Sequence, residues 1–252
     1  MKDKKHVTTI ENRWDILYAE YPEVYDAFIS VERKPDVMDV FKTHFQLEDK
    51  HMLDIGSGSG DSTFQLAKLC RHVTGIEIED AMREIADQKL QQLGLSNVDF
   101  IKGTATDLPF DHSLFDGTIA MTLPLFIPDE IKAYIKEAIR VTKDQGYVIN
   151  LGIAPKCYGG NLASVILGDS QVTEEDTEGV THDILVNTFG FEYFDYEAIQ
   201  NYDSVDHMVK TYGFIFGQKA IDYIIKHQLS SVVWTYRVHY KRILKTHLGE
   251  TL

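Results

Sequence analysis

Met52-Leu53-Asp54-Ile55-Gly56-Ser57-Gly58-Ser59-Gly60 runs from a short apolar strand into a turn with glycine at every second place, ahead of a stretch with helical periodicity. Glycine lets the backbone approach a ligand closely and take positive φ, and the helix that follows presents unpaired amides. A nucleotide-like ligand fits such a turn. Glu77 closes the next apolar strand, Val73 to Ile78, about 20 residues on, where a carboxylate can accept bonds from both hydroxyls of a ribose. The dinucleotide pattern G-x-G-x-x-G would need glycine where Asp61 stands, and a carboxylate is a poor neighbour for a pyrophosphate. The spacing suits a cofactor without phosphates.

Outward from this turn, residues 36 to 153 alternate between helical and strand-like periodicity, the mark of a parallel sheet with crossover helices. Val37, Val40, Phe41, His44 and Phe45 share one helical face before the first strand. A helix from about Ser62 to Leu69 follows the turn. Asp80 is placed to cap a helix whose inner face reads Met82, Ile85, Ala86, Leu90 and Leu93, and Gly94 stops it. Val98 to Ile101, Gly117 to Met121 and Tyr147 to Ile153 read as further strands, the last preceded by a helix with Ile131, Tyr134, Ile135, Ala138 and Ile139 inward. After residue 154, Gly159, Gly160, Gly168 and the acidic run Glu174 to Glu178 predict an irregular, exposed and mobile segment. Thr181 is placed to cap a helix ending at Gly190. Phe191 to Tyr202 reads as a strand, and Ser204 opens a helical stretch that Gly213 and Gly217 interrupt. Ser231 to Ile243 is a long final strand.

These residues resemble the class I S-adenosylmethionine-dependent methyltransferases, particularly the branch acting on small molecules and quinone-like acceptors, with the match strongest from Met52 to Ile153. The resemblance implies an α/β fold with a doubly wound, mainly parallel seven-stranded sheet, an antiparallel C-terminal strand pair and helical cover elements. It implies that Asp54 and the loop Gly56, Ser57, Gly58 and Gly60 face the amino-acid part of S-adenosylmethionine. Glu77, followed by Ile78, would hold the ribose, while Thr104 and Ala105, in Gly103 to Phe110 after the third strand, would border the adenine. Met121 would lie near the sulfonium. Two departures stand out: Thr104 replaces the Asp or Asn common in the family, which leaves Asp107 as an alternative adenine contact, and Lys143-Asp144-Gln145-Gly146 replaces a Pro-Gly-Gly turn.

The chain of 252 residues reads as one domain: an N-terminal helical lid over 1–35, a cofactor-binding core over 36–153, a cover segment with the sixth strand over 154–230, and a final strand and tail over 231–252. A formal net charge of -14 repels nucleic-acid backbones. The basic stretch Arg237 to Lys245 alternates as a half-buried strand does. No run approaches the roughly 18 apolar residues of a membrane helix, and Met1 to Thr9 has no apolar stretch behind its lysines. We therefore expect a cytoplasmic protein acting on a small-molecule acceptor, without nucleic acid or membrane partners. Cys70 and Cys157 are too few for a disulfide framework and lie in no metal-ligand spacing, so both are expected reduced and no metal is expected.

Methyl transfer is an in-line displacement, so alignment and water exclusion dominate, and a base matters only for hydroxyl or carbon acceptors. His182, Asp183, Asp203, Asp206, His207 and Tyr212 are the candidate bases, with Asp206, His207 and Tyr212 carried forward. Trp14, Tyr18, Tyr21, Pro22, Tyr25 and Phe28 form an aromatic segment in which Tyr18 and Tyr21 are expected to close over the site, since aromatic faces attract a sulfonium or an ammonium. Thr122-Leu123-Pro124-Leu125-Phe126 lacks the Pro-Pro-aromatic motif of adenine and glutamine amino-group methylases, and Pro155-Lys156-Cys157 lacks the Pro-Cys pair of cytosine chemistry. The rival readings are a catalytically silent binding module and a nicotinamide-dependent dehydrogenase.

Overall fold

The alternation of apolar strands and amphipathic helices produces one mixed sheet. The computed structural model describes residues 8–168 and 177–245. Two short helices, α1 (Trp14–Glu20) and α2 (Pro22–Ile29), lead to β1 (Arg33–Lys34) and α3 (Val37–His44), whose cap Asp36 accepts from the Met38 amide. The core follows as β2 (His51–Ile55), α4 (Asp61–Ala67), β3 (His72–Glu77), α5 (Asp80–Leu93), β4 (Val98–Lys102), β5 (Phe115–Met121), α6 (Pro128–Val141) and β6 (Thr142–Ile153). The long strands β7 (Glu192–Asn201) and β8 (Ser231–Arg242) complete the sheet. Its order is β1-β7-β8-β6-β5-β2-β3-β4. Strands β4, β3, β2, β5 and β6 run parallel, whereas β8 is antiparallel to both β6 and β7.

The parallel strands are covered on both faces, which is why β2 and β3 are buried along nearly their whole length. One face packs Leu17, Phe41, Met52, Tyr212 and Trp234; the other packs Leu53, Ile55, Phe115, Ile135 and Val148. The sheet has eight strands rather than the expected seven, because Arg33 and Lys34 pair with Gln200 and Ile199 at the edge. The chain runs from β2 outward through β3 and β4, then returns to β5 on β2's other side. That reversal sets a crevice at the carboxyl ends of β2 and β5.

Several local expectations are corrected. Asp80 does not cap α5; it is the helix's first residue and pairs with Arg83 at 2.8 Å and Lys102 at 2.7 Å. Gly94 does end that helix in the left-handed conformation, at φ 62°. Thr181 starts no helix, since Thr177–Asp183 is already helical and widens into the π-turn Ile184–Thr188. Ser204 caps the following stretch by accepting from the His207 amide at 3.1 Å. Gly213 does not interrupt that stretch, which winds on through a π-turn to Phe216; Gly217, at φ 103°, separates it from the helix Gln218–His227. The acidic residues 174–176 lie outside the described residues. No described helix is long and apolar enough to cross a membrane.

Candidate active site

The carboxyl ends of β2, β5 and β6 open onto a cavity of about 340 Å³. Its first wall is the turn between β2 and α4. Gly56 and Ser57 donate their amides to the Ile76 carbonyl at 2.9 and 3.1 Å, which ties the turn to β3. Gly56, Gly58 and Gly60 all take positive φ. At Gly56 the φ of 74° favours glycine, and a Cβ there would push on the Leu123 Cδ1 methyl, which would have to move.

Asp54 ends this wall beneath the turn, fully buried, with Oδ2 accepting from Ser62 Oγ at 2.7 Å and Thr63 Oγ1 at 2.6 Å. Burial pushes its carboxyl up to about 6, against the pull of those two hydroxyls. Its Oδ1 has no partner, and neither does the buried Ser57 Oγ. Buried polar atoms in folded proteins are nearly always paired, so two orphans at one turn mark a place for polar groups of a bound molecule. Glu77 is 8% exposed and stands beside the turn, accepting from the Gly58 amide at 2.9 Å and the Glu79 amide at 2.8 Å. Both carboxylate oxygens keep a further lone pair.

The lid is locked to this wall. Asp26 of α2 accepts from Ser59 Oγ at 2.6 Å and forms an ion pair with Lys89 of α5. Tyr18 and Tyr25 meet edge to face with centroids 5.0 Å apart, and the Tyr25 ring covers Gly58. Burial raises both phenols above their ordinary range, reinforced at Tyr18 by the Tyr25 phenol and Glu77 and at Tyr25 by Glu77, so both stay protonated.

The opposite wall is aromatic. Trp14 Nε1 donates to Tyr158 Oη at 2.6 Å, and Phe216 packs against both rings at 5.9 and 5.7 Å. Glu178 and Thr181 reach in from the helix Thr177–Asp183, and Tyr134 donates to Asn150 Oδ1 at 3.2 Å on the floor. Burial, with Glu178 adding to it, pushes the Tyr158 phenol up to about 12.

The expected residues divide into two groups. Gly56, Ser57, Met121 and Tyr18 line the cavity. Asp54, Gly58 and Gly60 lie behind its lining, within and beneath the turn, and Glu77, Ile78, Thr104 and Ala105 lie outside it along the crest of β3 and β4, where Ile78 is 56% exposed and Thr104 bonds Thr106 Oγ1 at 3.1 Å. Tyr21 does not line the cavity; its ring packs on Phe214 at 5.2 Å. Nor do the candidate bases. His207 faces outward beside Asp203 at 3.3 Å, Asp206 pairs with Lys210 on the surface, and Tyr212 is buried in the core with its hydroxyl donated to the Gly159 carbonyl at 2.6 Å. His182 Nδ1 is taken up by His239 Nε2 at 3.0 Å and Arg237 at 3.1 Å.

Arg33 was not singled out from the sequence, where nothing marks it beyond its place two residues before Pro35. It lines the cavity, with Nε donating to Tyr236 Oη at 3.0 Å and Nη1 to the Ile29 and Val31 carbonyls at 2.7 and 3.3 Å. Among the described residues no carboxylate stands within ion-pair distance of it. A guanidinium cannot shed its proton, so the cavity holds a cation without a direct counter-ion.

A family profile described as a methyltransferase domain matches residues 52–146. The chain is 30% identical over 155 residues to a demethylmenaquinone methyltransferase of Bacillus subtilis, covering 54% of this chain and 66% of the relative. It is 37% identical over 121 residues to a ubiquinone/menaquinone biosynthesis C-methyltransferase of Rickettsia felis, covering 45% and 48%, and 32% identical over 89 residues to a protein-L-isoaspartate O-methyltransferase of Nitrobacter winogradskyi, covering 35% and 41%. The chain thus spans less than two thirds of each. Among solved structures, the YcgJ protein of Bacillus subtilis superposes with a TM-score of 0.59 at 19% identity, covering 83% of this chain and 98% of that one. At that identity the likeness shows the fold.

Proposed function

We propose that this chain works as a class I S-adenosylmethionine-dependent methyltransferase, moving the cofactor's methyl group onto a small organic acceptor held in the aromatic half of the cavity. The observation that carries this reading is the pair of unpartnered buried atoms at the glycine turn, Asp54 Oδ1 and Ser57 Oγ. They are an acceptor and a hydroxyl at the place where an amino acid's ammonium and carboxylate would dock, and Arg33 lines the same cavity with a guanidinium bonded to Tyr236 Oη and the Ile29, Val31 and Phe28 carbonyls but to no carboxylate among the described residues. Bound there, S-adenosylmethionine supplies an electrophilic methyl on a sulfonium.

The chain's own residues then do four things. Asp54, Ser57 and Arg33 hold the amino-acid end, and Gly56 lets the backbone come close enough. Glu77, with free lone pairs beside Gly58, accepts from the ribose hydroxyls. Thr104 and Ala105 border the adenine at the end of β4, and Met121 lies at the end of β5 where the reactive methyl would point. Tyr18 and Tyr25 close the turn from above and exclude water, which a displacement by an external nucleophile requires.

Calorimetric titration with S-adenosylmethionine of the parent and of Glu77→Ala tests this reading. Each lost charge-assisted bond is worth about 1.5–3 kcal/mol, so the variant should bind at least roughly tenfold more weakly. Equal binding by both would remove the ribose assignment. No binding by the parent would favour a fold kept as a catalytically silent module.

A further inference from the structure

The cavity floor carries a polar group that binding the cofactor leaves unused, and from it we infer that Asn150 receives the acceptor molecule through a neutral carbonyl oxygen. This deepens the methyltransferase reading and rests on it. Asn150 is 7% exposed, and Tyr134 fixes which way its amide points, because the Tyr134 hydroxyl donates to Oδ1 at 3.2 Å. Burial holds that phenol above its ordinary range, so it keeps the proton it donates. Asn150 lines the cavity, and among the described residues its Nδ2 has no hydrogen-bond partner. An amide nitrogen only donates, so its complement is an oxygen that accepts. The bond received at Oδ1 polarises the amide and strengthens Nδ2 as a donor. Gly152 keeps the approach open: a Cβ there would lie 3.9 Å from Nδ2, and a larger side chain would stand over it.

Asn150 stands on the acceptor's side of the site. Ile55 of β2 pairs with Ala120 of β5, and Ala120 pairs with Asn150 of β6. Asn150 is therefore two strands, about 10 Å, from the strand that leads into the glycine turn. The ribose and adenine would extend the other way, along β3 and β4, and Met121 follows Ala120 on the strand between. A group held at Asn150 thus belongs to a molecule that approaches the methyl from beyond the cofactor. Its oxygen is neutral for a reason of charge. Among the described residues that line the cavity the only cation is Arg33, which is bonded to Tyr236 and to the carbonyls that end α2, at the cofactor's amino-acid end. A carboxylate or phosphate at Asn150 would lose its water in exchange for one uncharged donor, whereas a carbonyl is satisfied by that one bond.

The test uses 1-indanone and its carbonyl-free counterpart indane, each titrated by calorimetry into the full chain saturated with S-adenosylhomocysteine. Asn150→Leu keeps the side chain's size and removes the donor. It should weaken 1-indanone binding at least tenfold, leave indane binding as tight as in the parent or tighter, and leave S-adenosylhomocysteine affinity unchanged. The carbonyl stretch of bound 1-indanone should lie at lower frequency in the parent than in Asn150→Leu, which a change of cavity shape alone would not produce. Should that variant fail to fold, Tyr134→Phe carries the test: it frees the amide to turn, and should weaken 1-indanone binding at least threefold without affecting indane. Equal 1-indanone binding by parent and variant, equal weakening of both probes, or no 1-indanone binding to a parent that holds S-adenosylhomocysteine would overturn the assignment. Failure of S-adenosylhomocysteine to bind the parent is a separate result, and it counts against the methyltransferase reading instead.

Discussion

The two walls of the cavity are made by opposite means. The first, residues 54 to 62, is backbone from one continuous stretch, held by strand pairing to β3 and β5 and shaped by what its glycines lack. The second is side chains, brought together from Trp14, Tyr158, Glu178 and Phe216, which belong to four separate segments of the chain. A backbone wall tolerates little change, because its shape depends on the positive φ of Gly56, Gly58 and Gly60 and on close packing against Leu123, Tyr25 and Phe64. A side-chain wall can be rebuilt residue by residue without disturbing the sheet beneath it. The same domain can therefore keep one cofactor while its acceptor changes, which fits relatives named for quinones and for isoaspartyl residues alike.

The sharpest way to break this contrast is a matched pair of glycine substitutions. Gly56 has φ +74° and a Cβ there meets Leu123, whereas Gly94 has φ +62° with nothing within 4 Å. Both changes to alanine carry a similar backbone strain of about 1 kcal/mol. Only Gly56→Ala crowds the turn, so it should lose roughly a hundredfold or more in S-adenosylmethionine affinity, equivalent to about 2.8 kcal/mol. Gly94→Ala should lose stability alone. Urea unfolding and calorimetry on both variants separate the effects, and equal affinities would mean that the first wall is not the cofactor's.

A smaller effect follows from Asp54. Its folded carboxyl sits at about 6 against an ordinary 3.8, so the folded state holds a proton that the unfolded state releases between those values. In the free protein this lowers stability as pH rises from about 4 to about 6, by on the order of 3 kcal/mol. A ligand ammonium at Oδ1 favours the ionised form, so binding should release a proton and weaken as pH falls below about 6, by up to tenfold per unit. Asp54→Asn should bind less tightly at pH 8 and show a flat profile. A parent whose affinity is already flat between pH 5 and 7 would separate Asp54 from the ammonium.

The same contrast explains what could be read from the sequence. Strands β2, β3 and β5, the inner face of α6 and the glycine turn announce themselves through local pattern: alternation, period and residues that only a special φ admits. The second wall has no such signal. Arg33 reaches the sheet through pairing with Gln200, far along the chain, and its role depends on Tyr236 meeting it there. The π-turns at Ile184–Thr188 and Val209–Gly213 add a residue to a helical turn, which no hydrophobic period predicts. For Tyr212 the period was the better guide: it shares the apolar face of Met208 and Val209, and its hydroxyl is satisfied within the core.

The smallest effects should come from the residues that chemistry alone recommended. Tyr212→Phe removes one buried bond, to the Gly159 carbonyl, and should cost about 1 kcal/mol of stability while leaving ligand affinity alone. His207 and Asp206 make ion pairs in which Asp203 is 94% exposed and both Asp206 and Lys210 are 71% exposed, and surface pairs of that kind contribute little. His207→Ala and Asp206→Asn should each change stability and cofactor affinity by less than about 0.5 kcal/mol. A large loss of turnover in either variant, with cofactor binding intact, would mean that the stretch after Ser204 swings over the cavity during catalysis, and the acceptor wall would then have to include it.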